Sequence, residues 1–176
     1  KIDERHQKIG LPYTPKDFPV ELLTISEQNG VRLRATVSEF GPVLFSRIID
    51  ASNAQSGIIA ILFKYCDDKS LPLLDLKDFK KVLQYATDEG KEEIQDLYGR
   101  ISTASAGAIL RKIVQLEQQG GDIFFGEKSF EVDDLLKLDE TGRGKINVIR
   151  LTDIQDRPQL FSTFMLSLLA EIYSTF

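Results

Sequence analysis

Apolar positions change their spacing several times along this chain, and each change marks an element. Residues 1–12 form a short polar-apolar stretch, after which Pro12, Pro15 and Pro19 break any helix and push the chain toward extended geometry. The runs 18–25 and 31–37 are rich in β-branched and aliphatic residues. Between them Glu27-Gln28-Asn29-Gly30 supplies Asn-Gly turn chemistry, so 18–37 reads as a strand hairpin. In the second run Val31, Leu33, Ala35 and Val37 alternate with Arg32, Arg34 and Thr36, which predicts one buried and one wet face.

From Ser38, read as a helix cap, the period becomes helical: Phe40, Val43, Leu44, Ile48 and Ile49 recur at three- and four-residue spacing, with Gly41-Pro42 tolerated in the first turns. A second helix is expected over 53–67, carrying Ile58, Ile61, Leu62 and Tyr65, and Ser70-Leu71-Pro72 ends this helical pair. Asp75 caps a third, through Phe79, Val82, Leu83 and Ala86, closed by Asp88-Glu89-Gly90, and a short fourth surrounds Ile94 and Leu97. The clearest helix spans 105–118, where Ala106, Ile109, Leu110, Ile113 and Leu116 form one stripe before Gly120-Gly121. A short acidic helix near 133–138 and the turn cluster 139–144 lead into 145–151, a strand by composition. From Pro158 the apolar band of Leu160, Phe161, Phe164, Met165, Leu168, Leu169, Ile172 and Tyr173 is wide enough to predict burial on more than one side.

The expected fold class is therefore α/β and helix-rich. A partial sheet, made of the hairpin and one core strand, carries a helical insertion of five to six helices. Residues 1–176 read as a single domain or excised segment, divided into the hairpin at 18–37, the insertion at 38–140 and the core strand with its packing helix at 145–176. The chain begins without Met and reaches Phe176 inside a helical pattern, which reads as a piece of something longer.

Composition narrows the chemistry. The chain has 176 residues, 42% hydrophobic and 28% charged, enough to build a core without disulfides or a structural metal. With 22 Lys and Arg against 27 Asp and Glu the net charge is −5, so the chain as a whole does not attract nucleic acid or anionic membrane. Cys66 is the only cysteine, which excludes an intrachain disulfide and a Cys-rich zinc site and points to a reducing, cytoplasmic setting. No run approaches the ~20 apolar residues of a membrane span.

No self-contained active site emerges. His6 lies among charged residues near the start, a solvated side chain. The carboxylate pairs Asp67-Asp68, Glu92-Glu93 and Asp133-Asp134 are adjacent in sequence and diverge on a helix, so none shares a proton or a metal. Cys66 sits in an apolar helical context and reads as inert. The phosphate-loop pattern GxxxxGK[ST] is absent; its nearest relative, Gly142-Arg143-Gly144-Lys145, precedes a strand and reads as a turn. Arg111 lies on the most regular helix but off its stripe, placed to meet a phosphate or a partner carboxylate.

Several runs, in their order and spacing, resemble one family. These are Arg34-Ala35-Thr36-Val37-Ser38-Glu39-Phe40-Gly41-Pro42, Leu73-Leu74-Asp75-Leu76-Lys77-Asp78, Tyr98-Gly99-Arg100-Ile101-Ser102-Thr103-Ala104-Ser105, Leu116-Glu117-Gln118-Gln119-Gly120-Gly121-Asp122 with Phe124-Phe125-Gly126-Glu127, and Leu160-Phe161-Ser162-Thr163-Phe164. They resemble the HerA-like bacterial ATPases, relatives of the HerA and FtsK DNA translocases. The resemblance implies a RecA-like P-loop NTPase that binds ATP and Mg²⁺ and self-associates, typically as hexamers. It places the phosphate loop upstream and the acidic Mg²⁺-binding strand downstream of the part seen here, so it implies no cofactor in this chain and no activity by this chain alone. It makes Arg111 and Arg143 candidates for reaching a neighbouring subunit's nucleotide, as arginine fingers do. DNA is implied as a partner of the parent protein, but the charge of this chain gives it no support, although Arg32, Arg34, Lys80, Lys81, Arg111 and Lys112 could line the inner surface of a ring. The competing expectation is a self-standing protein-interaction module without enzymatic activity.

Overall fold

A computed structural model describes residues 1–175; the last residue of the expected closing helix, Phe176, lies outside them. The chain is helix-rich α/β with a three-stranded parallel sheet, the class that the sequence predicts. Strands β1 (Val20–Thr24), β2 (Val31–Arg32) and β3 (Ile146–Arg150) take the order β2-β1-β3. Between β2 and β3 run α2 (Val37–Ile48), α3 (Asn53–Asp68), α4 (Leu76–Thr87), α5 (Lys91–Tyr98), α6 (Thr103–Gln118) and the short α7 (Gly121–Phe124), followed by a 3₁₀ turn over Val132–Leu136. A first helix, α1 (Ile2–Ile9), and a last one, α8 (Pro158–Thr175), flank this body.

The hairpin expected over 18–37 is corrected by the pairing: β1 and β2 run parallel, with Leu23 opposite Val31 and Thr24 opposite Arg32. A type I′ turn at Asn29-Gly30 would need positive φ at both residues. Among the described residues the non-glycine positions with positive φ are Asp50 and Ser70, so Asn29 does not supply it. Instead, residues 25–30 fold back into the core, burying Ile25 and Ser26, and return beside β1 before the chain runs forward again. Gly30 permits this return, because a Cβ there would lie 2.8 Å from the Leu22 carbonyl oxygen. The expected inside-outside alternation of 31–37 is also only partial: Leu33 and Val37 are buried but Val31 is exposed, since β2 ends at Arg32.

Helix starts follow local chemistry closely. Asp75 caps α4 as expected, its carboxylate accepting from Lys77 N at 2.8 Å and Asp78 N at 2.9 Å. Ser52 and Gln55 form a reciprocal capping box on α3. At α2 the cap is Thr36 rather than Ser38: Thr36 and Glu39 bond reciprocally. The Ser38 hydroxyl accepts instead from Leu73 N at 2.9 Å, tying α2 to the segment before α4. Gly41, at φ 66, breaks α2 so that Pro42 opens a second helical stretch.

Seven phenylalanines hold the layers together. Phe45 lies 4.6 Å from Phe79, 5.9 Å from Phe63 and 6.0 Å from Phe125, centroid to centroid. Phe124 and Phe125 meet Phe40 edge-on, and Phe124 meets Phe164 of α8. The band on α8 is buried on one side only, correcting the expectation of burial on more than one: Leu160, Phe164 and Leu168 are buried, whereas Leu166, Leu169 and Tyr173 are exposed.

The sheet has an uncovered side. Val20 pairs with Ile146 and Leu22 with Val148, and these four residues share one face at 57%, 47%, 44% and 41% exposure respectively. On the other face Leu23 is buried and Ile149 packs against the core. Parallel sheets are ordinarily covered on both faces. No helix of the described residues is long and apolar enough to cross a membrane.

Candidate functional site

Because all three strands are parallel, their carboxyl ends meet at one edge, the place where open α/β sheets bind ligands. Thr24 and Ser26 are buried there and share a hydroxyl–hydroxyl bond of 3.0 Å. Beyond them the Gln28 amide donates to the Thr152 hydroxyl at 2.7 Å, joining the loops after β1 and β3. Arg34, expected on a wet strand face, is turned to structure: its Nε donates to the Ile123 carbonyl at 2.9 Å, and its guanidinium closes over Gly126. Its backbone N–H donates to Ser129 Oγ at 2.8 Å.

Two grooves adjoin this edge and share Glu117 and Asp122. One, of about 430 Å³, lies between Arg34, Lys77, Asp78 and Glu127. The other, of about 300 Å³, lies between Ser26, Glu27, Gly120 and Arg157. Carboxylates outnumber cations in both. Lys80 is paired with Glu117 at 2.7 Å, which neutralises one of these carboxylates. Among the described residues no three His, Cys, Asp or Glu side chains converge as a metal site.

The two arginines singled out in the sequence are held very differently, and no contact joins them. Arg111 stands exposed on α6, lying over Gly107, and makes no hydrogen bond or ion pair among the described residues. Arg143 is bound within its own loop. Its Nε donates to Thr141 Oγ1 at 2.8 Å and Asp139 Oδ2 at 3.2 Å, and its Nη1 donates to the Asp17 carbonyl at 2.8 Å. The Thr141 hydroxyl and the Arg143 backbone N–H pull the Asp139 carboxyl down to about 2. The loop at 139–144 is thus closed on itself, and it leads into β3 rather than into a helix. These residues do not fit a phosphate cradle, which needs backbone N–H groups free at a helix start.

Other titratable groups singled out in the sequence are held by local contacts. Cys66 is buried, and burial pushes its thiol up to about 11, away from nucleophilic use. His6 stacks on Tyr13 at 4.7 Å. The adjacent carboxylates diverge: Asp68 accepts from the Tyr98 hydroxyl at 2.6 Å, while Glu93 meets Lys69 at 2.6 Å and Asp134 meets Lys137 at 2.7 Å. Lys128 has no sequence signal. It gathers Glu131 at 2.8 Å and Glu39 at 2.9 Å, with Glu171 of α8 at 3.8 Å, and the hydrogen bonds to the first two raise its affinity for its proton. Only the fold brings these three carboxylates together.

Residues 1–176 match the family described as helicase HerA-like C-terminal. No curated protein matches the chain, and no solved structure does.

Proposed function

From the premise that the chain belongs to the helicase HerA-like C-terminal family, we propose that it is one segment of a HerA-like, ATP-binding NTPase of helicase or translocase type. In this reading the phosphate loop and the acidic Mg²⁺-binding strand belong to other segments of the parent protein. This chain contributes part of the sheet, at 20–32 and 145–151, and a helical insertion at 38–140 that offers surface for contacts between subunits of a ring. It does not hydrolyse ATP alone, since the loop at 139–145 does not fit a phosphate and no step of the reaction can be assigned to its residues. Arg111 is the stronger of the two candidates for reaching a neighbouring subunit, because Arg143 would have to give up its bonds to Asp139, Thr141 and Asp17.

The uncovered apolar face of the sheet carries this reading. A face of Val20, Leu22, Ile146 and Val148 suits a sheet that continues into other parts of a larger α/β domain. A finished interaction module would leave no such face on a parallel sheet. The test is maleimide labelling of Leu22→Cys and Val148→Cys, read against Cys66, which is buried and reacts slowly. Both introduced thiols should react rapidly in this chain and at least about tenfold more slowly in the parent protein. Equal labelling in the two contexts would refute the proposal.

A further inference from the structure

The uncovered face of the sheet ends in charge. Residues in register on neighbouring strands share a face, and Thr24 of β1 pairs with Arg32 of β2 on one side and Arg150 of β3 on the other. Alternation along β1 puts Val20, Leu22 and Thr24 on one face, so both arginines stand on the face of the apolar quartet, at the carboxyl ends of the strands. Thr24 is buried between them, and its hydroxyl is taken up by Ser26. The Arg32 side chain is exposed and makes no hydrogen bond or ion pair among the described residues. Arg150 reaches a neutral acceptor, the Asn29 carbonyl, at 3.2 Å. Among the described residues no carboxylate pairs with either guanidinium, so this end of the face carries two cations without counter-charge.

A parallel sheet is ordinarily covered by helices that run antiparallel to its strands, because a crossover has to carry the chain back. The chain's own α1 does not fill this place, since none of its residues is buried. An antiparallel helix brings its N-terminus, the positive end of its dipole, to the carboxyl ends of the strands, here beside Arg32 and Arg150. Like charge would then meet like charge unless the first turn of that helix carried carboxylates. The distance from Val20 to Thr24 is about 13 Å, which about nine helical residues cover.

We propose that this face receives a helix of the parent protein that lies antiparallel to the strands, apolar along the side that meets Val20, Leu22, Ile146 and Val148, and acidic in its first turn, where Asp or Glu side chains pair with Arg32 and Arg150. The inference rests on the reading of the chain as one segment of a larger protein, and adds the chemistry of the element that covers it. Each guanidinium fork matches a planar carboxylate. A free anion would satisfy the arginines but leave the four apolar side chains bare.

The test is maleimide labelling of Val148→Cys in this chain with one of two helical peptides, acetyl-SEELIKALLKALIK-amide or its glutamine twin acetyl-SQQLIKALLKALIK-amide. The acidic peptide should slow labelling at about fivefold lower concentration than the twin. In the Arg32→Gln/Arg150→Gln variant that ratio should fall to within about twofold, which separates pairing with the arginines from any difference in peptide helicity. Arg32→Gln alone, whose side chain bonds nothing within the chain, should remove part of the ratio. Equal protection by the twins, a ratio that survives both substitutions, or no protection by either peptide at about 1 mM would each overturn the proposal. Labelling that slows as the chain itself is concentrated would assign the face to a second copy and overturn it too. Failure of the underlying reading is distinct: without peptide, Val148→Cys would then react equally in this chain and in the parent protein.

Discussion

Replacing Phe45 by alanine should lower the stability of the chain by about 3–5 kcal/mol, the largest effect of any single truncation named here. Phe45 is fully buried, and its ring touches those of Phe63, Phe79 and Phe125, which come from α3, α4 and the end of α7. Removing it loses the transfer free energy of the ring and leaves a cavity bounded by three other rings, none of which can move without exposing its own surface. Urea unfolding followed by circular dichroism measures the loss. The control is Val43→Ala, two residues earlier and 69% exposed, expected to cost within about 0.5 kcal/mol. A loss below about 1 kcal/mol for Phe45→Ala would mean that the aromatic cluster does not hold the layers together.

Gly30→Val should be the next most damaging change, costing about 2 kcal/mol or more. The reason is backbone geometry and not lost contact area. A Cβ at position 30 would sit 2.8 Å from the Leu22 carbonyl oxygen, and Gly30 itself has φ +156. Leu22 belongs to the central strand, so it cannot retreat without disturbing its pairing with Val148 of β3. Gly144→Ala, where a Cβ meets nothing within 4 Å, is the control and should leave the urea midpoint nearly unchanged. Equal stability of the Gly30→Val variant and the unsubstituted chain would refute the close return of residues 25–30 against β1.

The helices were legible because their information is local. The stripe Ala106, Ile109, Ile113 and Leu116 is buried as the period predicts, and the Asp75 carboxylate sits on the first-turn N–H groups of α4 as a cap should. The strands were legible in place but not in direction. Asn29-Gly30 carries the same local signal whether the chain turns back or loops forward, and the choice is made by β3, more than a hundred residues later, which pairs in parallel with all of β1. Thr36 was hidden as a cap because Ser38, two residues on, has equal capping chemistry; what separates them is that Leu73 claims the Ser38 hydroxyl.

The sites divide along the same line. The family runs were readable as sequence, and the match over residues 1–176 agrees with them. Arg143 gave no sign of being bound in its own loop, because the acceptors Asp139, Thr141 and Asp17 are chosen by the turn geometry and the approach of the N-terminal segment.

That nucleotide chemistry belongs to other segments of the parent protein is tested most directly by a calorimetric titration of this chain with Mg·ATP. The account predicts no saturable heat up to about 1 mM nucleotide. Saturable, Mg²⁺-dependent binding in the micromolar range would contradict it, and would mean that the groove edge between Arg34 and Arg157 holds a nucleotide by itself.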